Sequence, residues 1–304
     1  MAKASAKRGS SAAQQGALRR KVQGIIGRFS GQVGVEARNL TTGETLSVNE
    51  TKRFPTLSTI RVPIMTELFF QVHEGRLKLT DKMVVRRADH RGGTGILMRL
   101  STPIELTVRD VCVLTIKESD NTATWLMVQK LGKDNINKRM RSLGLKEVEL
   151  FSDLSAAMFA VIRKTDIASV AVSSPRDLAT LVTKMAEGTL VSKKASAAML
   201  DILHTCSEPD FMGRYLPIDQ LPEDTGVTMP ARLSNKTGSF LDGRTDVGLI
   251  ETRKVRYVLA VMTHKSKDPS YLLFQHEGVR TIGKISRAIY EAWVGKKRWR
   301  TGSD

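Results

Sequence analysis

The chain is poor in the residues that mark disulfide scaffolds and metal sites. Its 304 residues include only two cysteines, Cys112 in an apolar run and the distant Cys206. This spacing predicts neither a disulfide framework nor a metal site, and we expect Cys112 to be a small buried hydrophobe. The five histidines show no ligand spacing and are interpreted as surface or packing residues: His73, His90, His204, His264 and His276. No metal or organic cofactor is therefore expected.

The sequence also lacks a long apolar run. Its first 22 residues, MAKASAKRGSSAAQQGALRRKV, are basic and polar, without the apolar core of a secretory signal. No apolar stretch approaches the ~20 residues that span a membrane. The sequence as written therefore predicts a cytoplasmic protein with no membrane span.

Acidic residues are outnumbered: 31 Asp and Glu stand against 48 Lys and Arg, giving a formal net charge of +17. Such a surface attracts polyanions and small carboxylates. No known nucleic-acid-binding pattern is present, so we interpret the charge mainly as solubilising and do not expect a nucleic-acid partner. Hydrophobic residues make up 41% of the chain, enough for a large core.

Hydrophobic periodicity divides the chain into two kinds of segment. Residues 1–18 are predicted to be a flexible basic tail. Extended segments near both chain ends must pair with each other, since isolated hairpins are marginal. The sequence predicts an α/β protein in three layers, a mainly antiparallel sheet flanked by helices. Residues 19–57 and 173–304 would form the α/β subdomain, residues 58–172 an all-helical subdomain, and a site would lie in the groove between them.

Three short motifs stand out in chain order: Ser58-Thr-Ile-Arg61, Ser119-Asp-Asn121 and Lys236-Thr-Gly238. Taken singly, they are ordinary: a helix cap, a capping turn and a strand lysine before a turn. Together they resemble the S-x-x-K, S-D-N and K-T-G set of class A β-lactamases and penicillin-binding proteins. The resemblance extends over roughly residues 20–295, including Phe54-Pro-Thr-Leu before Ser58 and Ser174-Pro-Arg-Asp177.

The resemblance implies a role for each matching position on the reaction side of the site. Ser58 would form an acyl-enzyme, and the backbone amides of Ser58 and Ser239 would form an oxyanion hole. Ser119 and Lys236 would pass a proton towards the leaving nitrogen.

The resemblance also implies how a substrate would be held. Asn121 would contact the substrate amide. Lys236, Thr237, Gly238 and Ser239 would hold a substrate carboxylate. Either Arg214 or Arg244 would help them, and the sequence does not rank the two. The expected partner is a small amide or ester that carries a carboxylate, and the protein is expected to be a monomer.

Two departures from the family pattern concern proton transfer. Arg61 stands where the family has lysine, and a guanidinium keeps its proton and cannot act as a general base. The stretch Ser155-Ala-Ala-Met-Phe-Ala-Val-Ile-Arg163 lacks the glutamate and asparagine that the family uses for deacylation. The nearest carboxylates, Asp153 and Asp166, are interpreted as caps or surface charges.

Three functional hypotheses remain open at this point. In the first, the protein is a serine hydrolase that acts on β-lactams or related amides and esters, with weak deacylation. In the second, it is a penicillin-binding pseudoenzyme that has kept the fold. In the third, the net charge of +17 is itself the function, and the protein binds polyanions.

Overall fold

The computed structural model describes residues 2–154, 167–204, 210–219, 230–270 and 275–295, with side chains from residue 13 onward. The helices in these parts of the chain are α1 (Ala2–Ile26), α2 (Arg61–His73), α3 (Val108–Lys117), α4 (Asn121–Leu131), α5 (Lys133–Ser142), α6 (Pro175–Ala186), α7 (Lys193–His204) and α8 (Glu277–Trp293). The strands are β1 (Gln32–Asn39), β2 (Thr45–Val48), β3 (Phe54–Pro55), β4 (Lys82–Val85), β5 (Ile104–Thr107), β6 (Glu149–Leu150), β7 (Ala171–Ser173), β8 (Ile218–Asp219), β9 (Ala231–Phe240), β10 (Gly243–Thr252) and β11 (Arg256–His264).

A six-stranded sheet joins the two ends of the chain. Its strand order is β2-β1-β11-β10-β9-β8. Every neighbouring pair is antiparallel except β8 and β9, which run parallel. The N-terminal hairpin therefore pairs with the C-terminal strands, and the predicted mainly antiparallel sheet is confirmed.

Both faces of this sheet are covered, which makes the fold three-layered. On β11, Leu259 and Val261 pack in the core formed with α1 and α8. Their neighbours Ala260 and Met262 pack in the larger core that the sheet shares with the remaining helices. This alternation follows from the period of two along a strand, and it confirms the predicted architecture.

The chain begins with a helix. The backbone of α1 is helical from Ala2, and the flexible character expected for residues 1–18 stays a prediction. This segment is rich in Ala, Arg, Lys and Gln, which have high helix propensity. Leu18 and Val22 then anchor its second half against the sheet.

The middle of the chain is mostly helical, and it also contains short strands. Strands β4 and β5 form a two-stranded sheet, and β6 joins β3 and β7 in a three-stranded one. These strands have two to four residues, too few for a clear alternation to mark them in the sequence. Where one subdomain ends and the other begins stays a prediction.

Two further expectations concern single features of the described residues. Cys112 is buried on α3, and burial raises the pKa of its thiol to about 12, as a structural thiol requires. No helix in the described parts of the chain has the length and apolar character that a membrane crossing needs.

Helix α2 is fixed to α5 by a buried carboxylate. Glu67 is 1% exposed, and its Oε2 accepts a hydrogen bond of 2.8 Å from Arg139 Nε. Its Oε1 accepts one of 2.9 Å from Gln71 Nε2 and lies 3.4 Å from Arg76 Nη2. Because α2 continues directly from the turn that carries Ser58, this cluster fixes the position of the predicted nucleophile.

Replacing Glu67 by alanine should lower the free energy of unfolding by about 1–3 kcal/mol, because it removes the buried acceptor of Gln71 and of two guanidinium groups that still keep Glu74 as a partner. The measurement is denaturant unfolding followed by circular dichroism. The matched control is Glu105→Ala, since Glu105 and Lys82 form a 3.4 Å pair that is more than half exposed. That control should shift stability by less than about 1 kcal/mol. Equal effects of the two substitutions would contradict this view of α2.

Candidate active site

Ser58 lies in a 3₁₀ turn, Leu57–Ile60, that leads into α2. Leu57 has a φ of +51°, an unfavourable conformation for a branched side chain. The preceding residue, Thr56, holds the turn in place. Its N–H donates to Ala171 O at 3.1 Å, and its carbonyl accepts from Thr245 Oγ1 at 3.0 Å. The turn is thereby held between β7 and the main sheet.

Strand β9 touches this turn at Gly238. A Cβ atom at Gly238 would lie 2.7 Å from Ser58 N, 2.9 Å from Leu57 Cβ and 2.5 Å from Thr245 Oγ1. Only glycine fits at this position, since real Cβ atoms do not approach that closely. The Lys-Thr-Gly strand and the backbone amide of Ser58 are therefore in contact, as the sequence motifs predict.

Ser119 lies in the turn between α3 and α4, with a φ of +49°. The next residue, Asp120, fixes this turn: it caps α4 by accepting from Ala123 N at 2.9 Å. Its second oxygen accepts from the amides of Ile96 and Leu97 at 2.7 and 2.8 Å. The loop before β5 is thus held against the Ser-Asp-Asn turn.

Arg61 is 3% exposed and binds the Ser-Asp-Asn turn through its guanidinium group. Its Nη2 donates to Asn121 Oδ1 at 2.7 Å and to Ser119 O at 3.1 Å, and its Nε donates to Thr124 Oγ1 at 2.7 Å. These three acceptors are neutral oxygens. A permanent positive charge therefore lines the same cavity as Ser58 and holds the Ser-Asp-Asn turn.

The three motifs meet at one cavity of about 130 Å³. Its lining includes Ser58, Arg61, Ser119, Asn121, Thr237, Gly238 and Ser239. Apolar side chains also line it: Leu57, Ile60, Leu154, Ile167, Val170 and Phe240. No aspartate or glutamate is among the lining residues that the structure describes. A hydroxyl, several amides and fixed positive charge therefore converge on one apolar groove between the two halves of the fold.

A family model described as the β-lactamase enzyme family matches residues 17–293. The chain belongs to this β-lactamase family. The β-lactamase CARB-3 of Pseudomonas aeruginosa is 25% identical over 182 residues, which are 57% of this chain and 58% of that relative. The β-lactamase SME-1 of Serratia marcescens is 24% identical over 273 residues, 87% of this chain and 85% of the relative. The first curated relatives that the chain matches, CARB-3 among them, are therefore matched over less than two thirds of their length.

Solved structures agree with this assignment. A β-lactamase from Sphaerobacter thermophilus superposes with a TM-score of 0.78 at 32% identity, covering 90% of this chain and 96% of that one. The penicillin-binding protein PBP-A superposes with a TM-score of 0.76 at 27% identity, covering 91% and 95%. The recognition of the family from three spaced motifs is therefore confirmed.

Three of the predicted site residues of this β-lactamase family member do not line the cavity. Lys236 is buried on β9, and its Nζ donates to Thr237 O at 3.0 Å. Arg244 is 2% exposed and lies opposite Ser239 in the β9–β10 ladder. Its Nη1 donates to Leu241 O at 3.1 Å and to Gly243 O at 2.7 Å.

Arg214 is the third predicted site residue that does not line the cavity. It precedes Tyr215, whose hydroxyl lies 3.3 Å from Arg214 Nε. The ring of Tyr215 packs close to Gly283 on α8. The register therefore favours Arg244 over Arg214 as the arginine nearer the Lys-Thr-Gly strand.

Sequence reasoning missed several lining residues, above all Arg91, Thr94 and Leu154. Only the loop Arg91–Gly95 had a signal, a cluster of glycines between two regular segments. The stretch from Ser155 to Arg163 and Asp166 lie outside the described residues. Asp153 has an exposed side chain, and its carbonyl accepts from Gln129 Nε2.

Proposed function

We propose that this protein is a serine acyl-transfer enzyme that reacts with β-lactams or related amides and esters through Ser58. One observation carries the proposal: the amide of Ser58 contacts the Lys-Thr-Gly strand inside a cavity that Ser119 also lines. PBP-A supports it, since a mutant of that protein forms an acyl-enzyme complex with penicillin G.

Acylation begins with attack of Ser58 Oγ on the substrate carbonyl carbon. The new C–O bond pushes charge onto the carbonyl oxygen, which the backbone N–H groups of Ser58 and Ser239 stabilise. Preorganised donors of this kind commonly contribute a factor of about 10²–10³ to the rate. The C–N bond then breaks, and the leaving nitrogen takes up a proton.

The proton route avoids Arg61. A guanidinium retains its proton, so Arg61 lowers the energy of a Ser58 alkoxide by charge and holds Asn121 in place, but it accepts nothing. Ser119 relays the proton: its hydroxyl oxygen accepts the proton of Ser58 while its own proton passes to the leaving nitrogen. Lys236, on β9, supplies positive charge near the path of this proton.

A substrate carboxylate binds along β9. Thr237 and Ser239 face the cavity, and Ser239 Oγ is buried without a hydrogen-bond partner in the described chain. Buried hydroxyls are ordinarily paired, so this one fits a substrate oxygen. Arg244, opposite Ser239, adds its charge to the same end of the groove.

Deacylation is the slow step of the proposed reaction. No carboxylate lines the cavity in the described residues, and residues 155–163 contain no glutamate in the sequence. Water attacking the ester therefore meets no general base among the described lining residues, and the lack of one typically costs a factor of about 10²–10⁴. The acyl-enzyme should persist.

A second candidate function rests on Arg61 alone. If a fixed guanidinium at the lysine position prevents acylation altogether, the groove binds penicillin-like molecules without reacting.

The polyanion hypothesis stays a prediction, since the side chains of the first 12 residues are outside the described part of the chain.

Incubation with benzylpenicillin should add the mass of one penicillin to the intact protein, and peptide mapping should locate the adduct on Ser58. The adduct should last for minutes or longer, because the described cavity has no base for water. Ser58→Ala is the control and should gain no mass. Noncovalent binding by both proteins without an adduct would support the second candidate and sink the first.

Replacing Arg61 by lysine should raise the acylation rate about 10²-fold or more, because a buried amine can lose its proton and act as a base. The measurement is stopped-flow acylation by a chromogenic cephalosporin at several pH values. Arg61→Gln is the control that removes the charge without adding a base, and it should be slower than the native protein. An Arg61→Lys rate equal to the native one would contradict the view that the missing base at position 61 limits acylation.

A further inference from the structure

A second arginine besides Arg61 lines the cavity. Arg91 lies in the loop between β4 and β5, on the wall formed by the helical half. The described lining contains two guanidinium groups and no carboxylate. A cationic, mainly apolar groove of this kind favours an anionic ligand.

The guanidinium of Arg91 is held firmly. Its Cζ lies 3.9 Å from the ring centroid of Trp125, a stacked cation–π geometry. Its Nη1 donates to Ala88 O at 3.0 Å and to His90 O at 3.1 Å. Its backbone N–H donates to Thr122 Oγ1 at 2.9 Å. Arg91 is therefore a preorganised cation rather than a freely moving surface side chain.

Three nitrogens around this arginine lack partners among the described residues. They are His90 Nε2, Arg91 Nε and Trp125 Nε1, all buried. Native proteins pair nearly all buried polar atoms. Two of these nitrogens, on Arg91 and Trp125, can only donate. Of the three residues, Arg91 lines the cavity, and it therefore offers a donor to an acceptor that the described chain does not supply.

The loop of Arg91 is also tied to the predicted reaction centre. Asn121 Nδ2 donates to Gly92 O at 2.8 Å, and Asn121 N donates to Thr94 O at 3.0 Å. Asn121 is the residue whose side chain Arg61 holds. The distance between the Arg91 cluster and Ser58 is thus set by a short chain of hydrogen bonds.

We propose that Arg91 is a specificity-determining residue that binds a second carboxylate, on the acyl side of the substrate. This inference rests on the proposed function and names its substrate class: amides and esters with two carboxylates. Strand β9 binds the carboxylate next to the scissile bond, on the sheet side of the groove. Arg91 binds the other, on the helical side, where its planar guanidinium suits carboxylate geometry.

The test compares benzylpenicillin with carboxybenzylpenicillin, which differ by one carboxylate on the acyl side chain. Dissociation constants are measured by calorimetry in the Ser58→Ala background, so binding is read without acylation. Arg91→Gln in that background should reduce the preference for the dianion by about tenfold, the value of one charge-assisted contact. Arg91→Lys should restore part of the preference, because it keeps the charge.

The matched control is Arg87→Gln, which removes the same charge from an exposed position in the same loop. It should leave the preference unchanged, and unfolding midpoints confirm that each variant is folded. No preference for the dianion in the Ser58→Ala protein, or equal preferences with and without Arg91, would overturn the inference. Failure of the native protein to label with either penicillin would instead count against the proposed function, since binding is measured separately.

Discussion

The contact between the Ser58 amide and the strand at Gly238 is the constraint on which the site depends. A single methyl group at Gly238 would come within 2.7 Å of the amide nitrogen. For the two to meet, β9 must be in register with β10, and the turn at Ser58 must be held by Thr245 and Ala171. The sheet built from both chain ends and the buried anchor of α2 are what keep this contact in place.

Arg61 changes the chemistry of the site while keeping its architecture. Its guanidinium bridges Ser119, Asn121 and Thr124, so it organises the turn that faces Ser58. Because arginine stands where the family pattern has lysine, the site lacks an amine that could be neutral at physiological pH and act as a base. In the proposed reaction the site retains electrostatic stabilisation, which is usually the larger contribution to acyl transfer, and gives up part of the proton transfer. Slow acylation and a persistent acyl-enzyme are the behaviour that we propose for this combination.

The parts of the fold with a strong local signal could be predicted from the sequence. Thr107 caps α3 with Asp110 as its capping box, and Ser174 caps α6 before a proline, as each pattern indicates. The pairing of both chain ends followed from the instability of isolated hairpins. The four-residue strand Lys82–Val85 was missed because its alternation is too short to recognise.

The candidate site also has residues that the sequence predicts and residues that it does not. Ser58, Ser119 and the Lys-Thr-Gly strand carry a motif, and the spacing of motifs along the chain was enough to bring them together. Arg91 carries none: its place in the cavity depends on stacking against Trp125, which is distant in sequence. The choice between Arg214 and Arg244 also needed strand register, since only pairing shows that Arg244 lies opposite Ser239.

A crystal structure of the protein after reaction with benzylpenicillin tests the central claim most directly. The account predicts an ester on Ser58 whose carbonyl oxygen lies about 2.7–3.1 Å from the backbone nitrogens of Ser58 and Ser239. It also predicts that the Gly238 backbone stays against the Ser58 amide. An ester carbonyl turned away from both amides, or a penicillin attached to another residue, would contradict it.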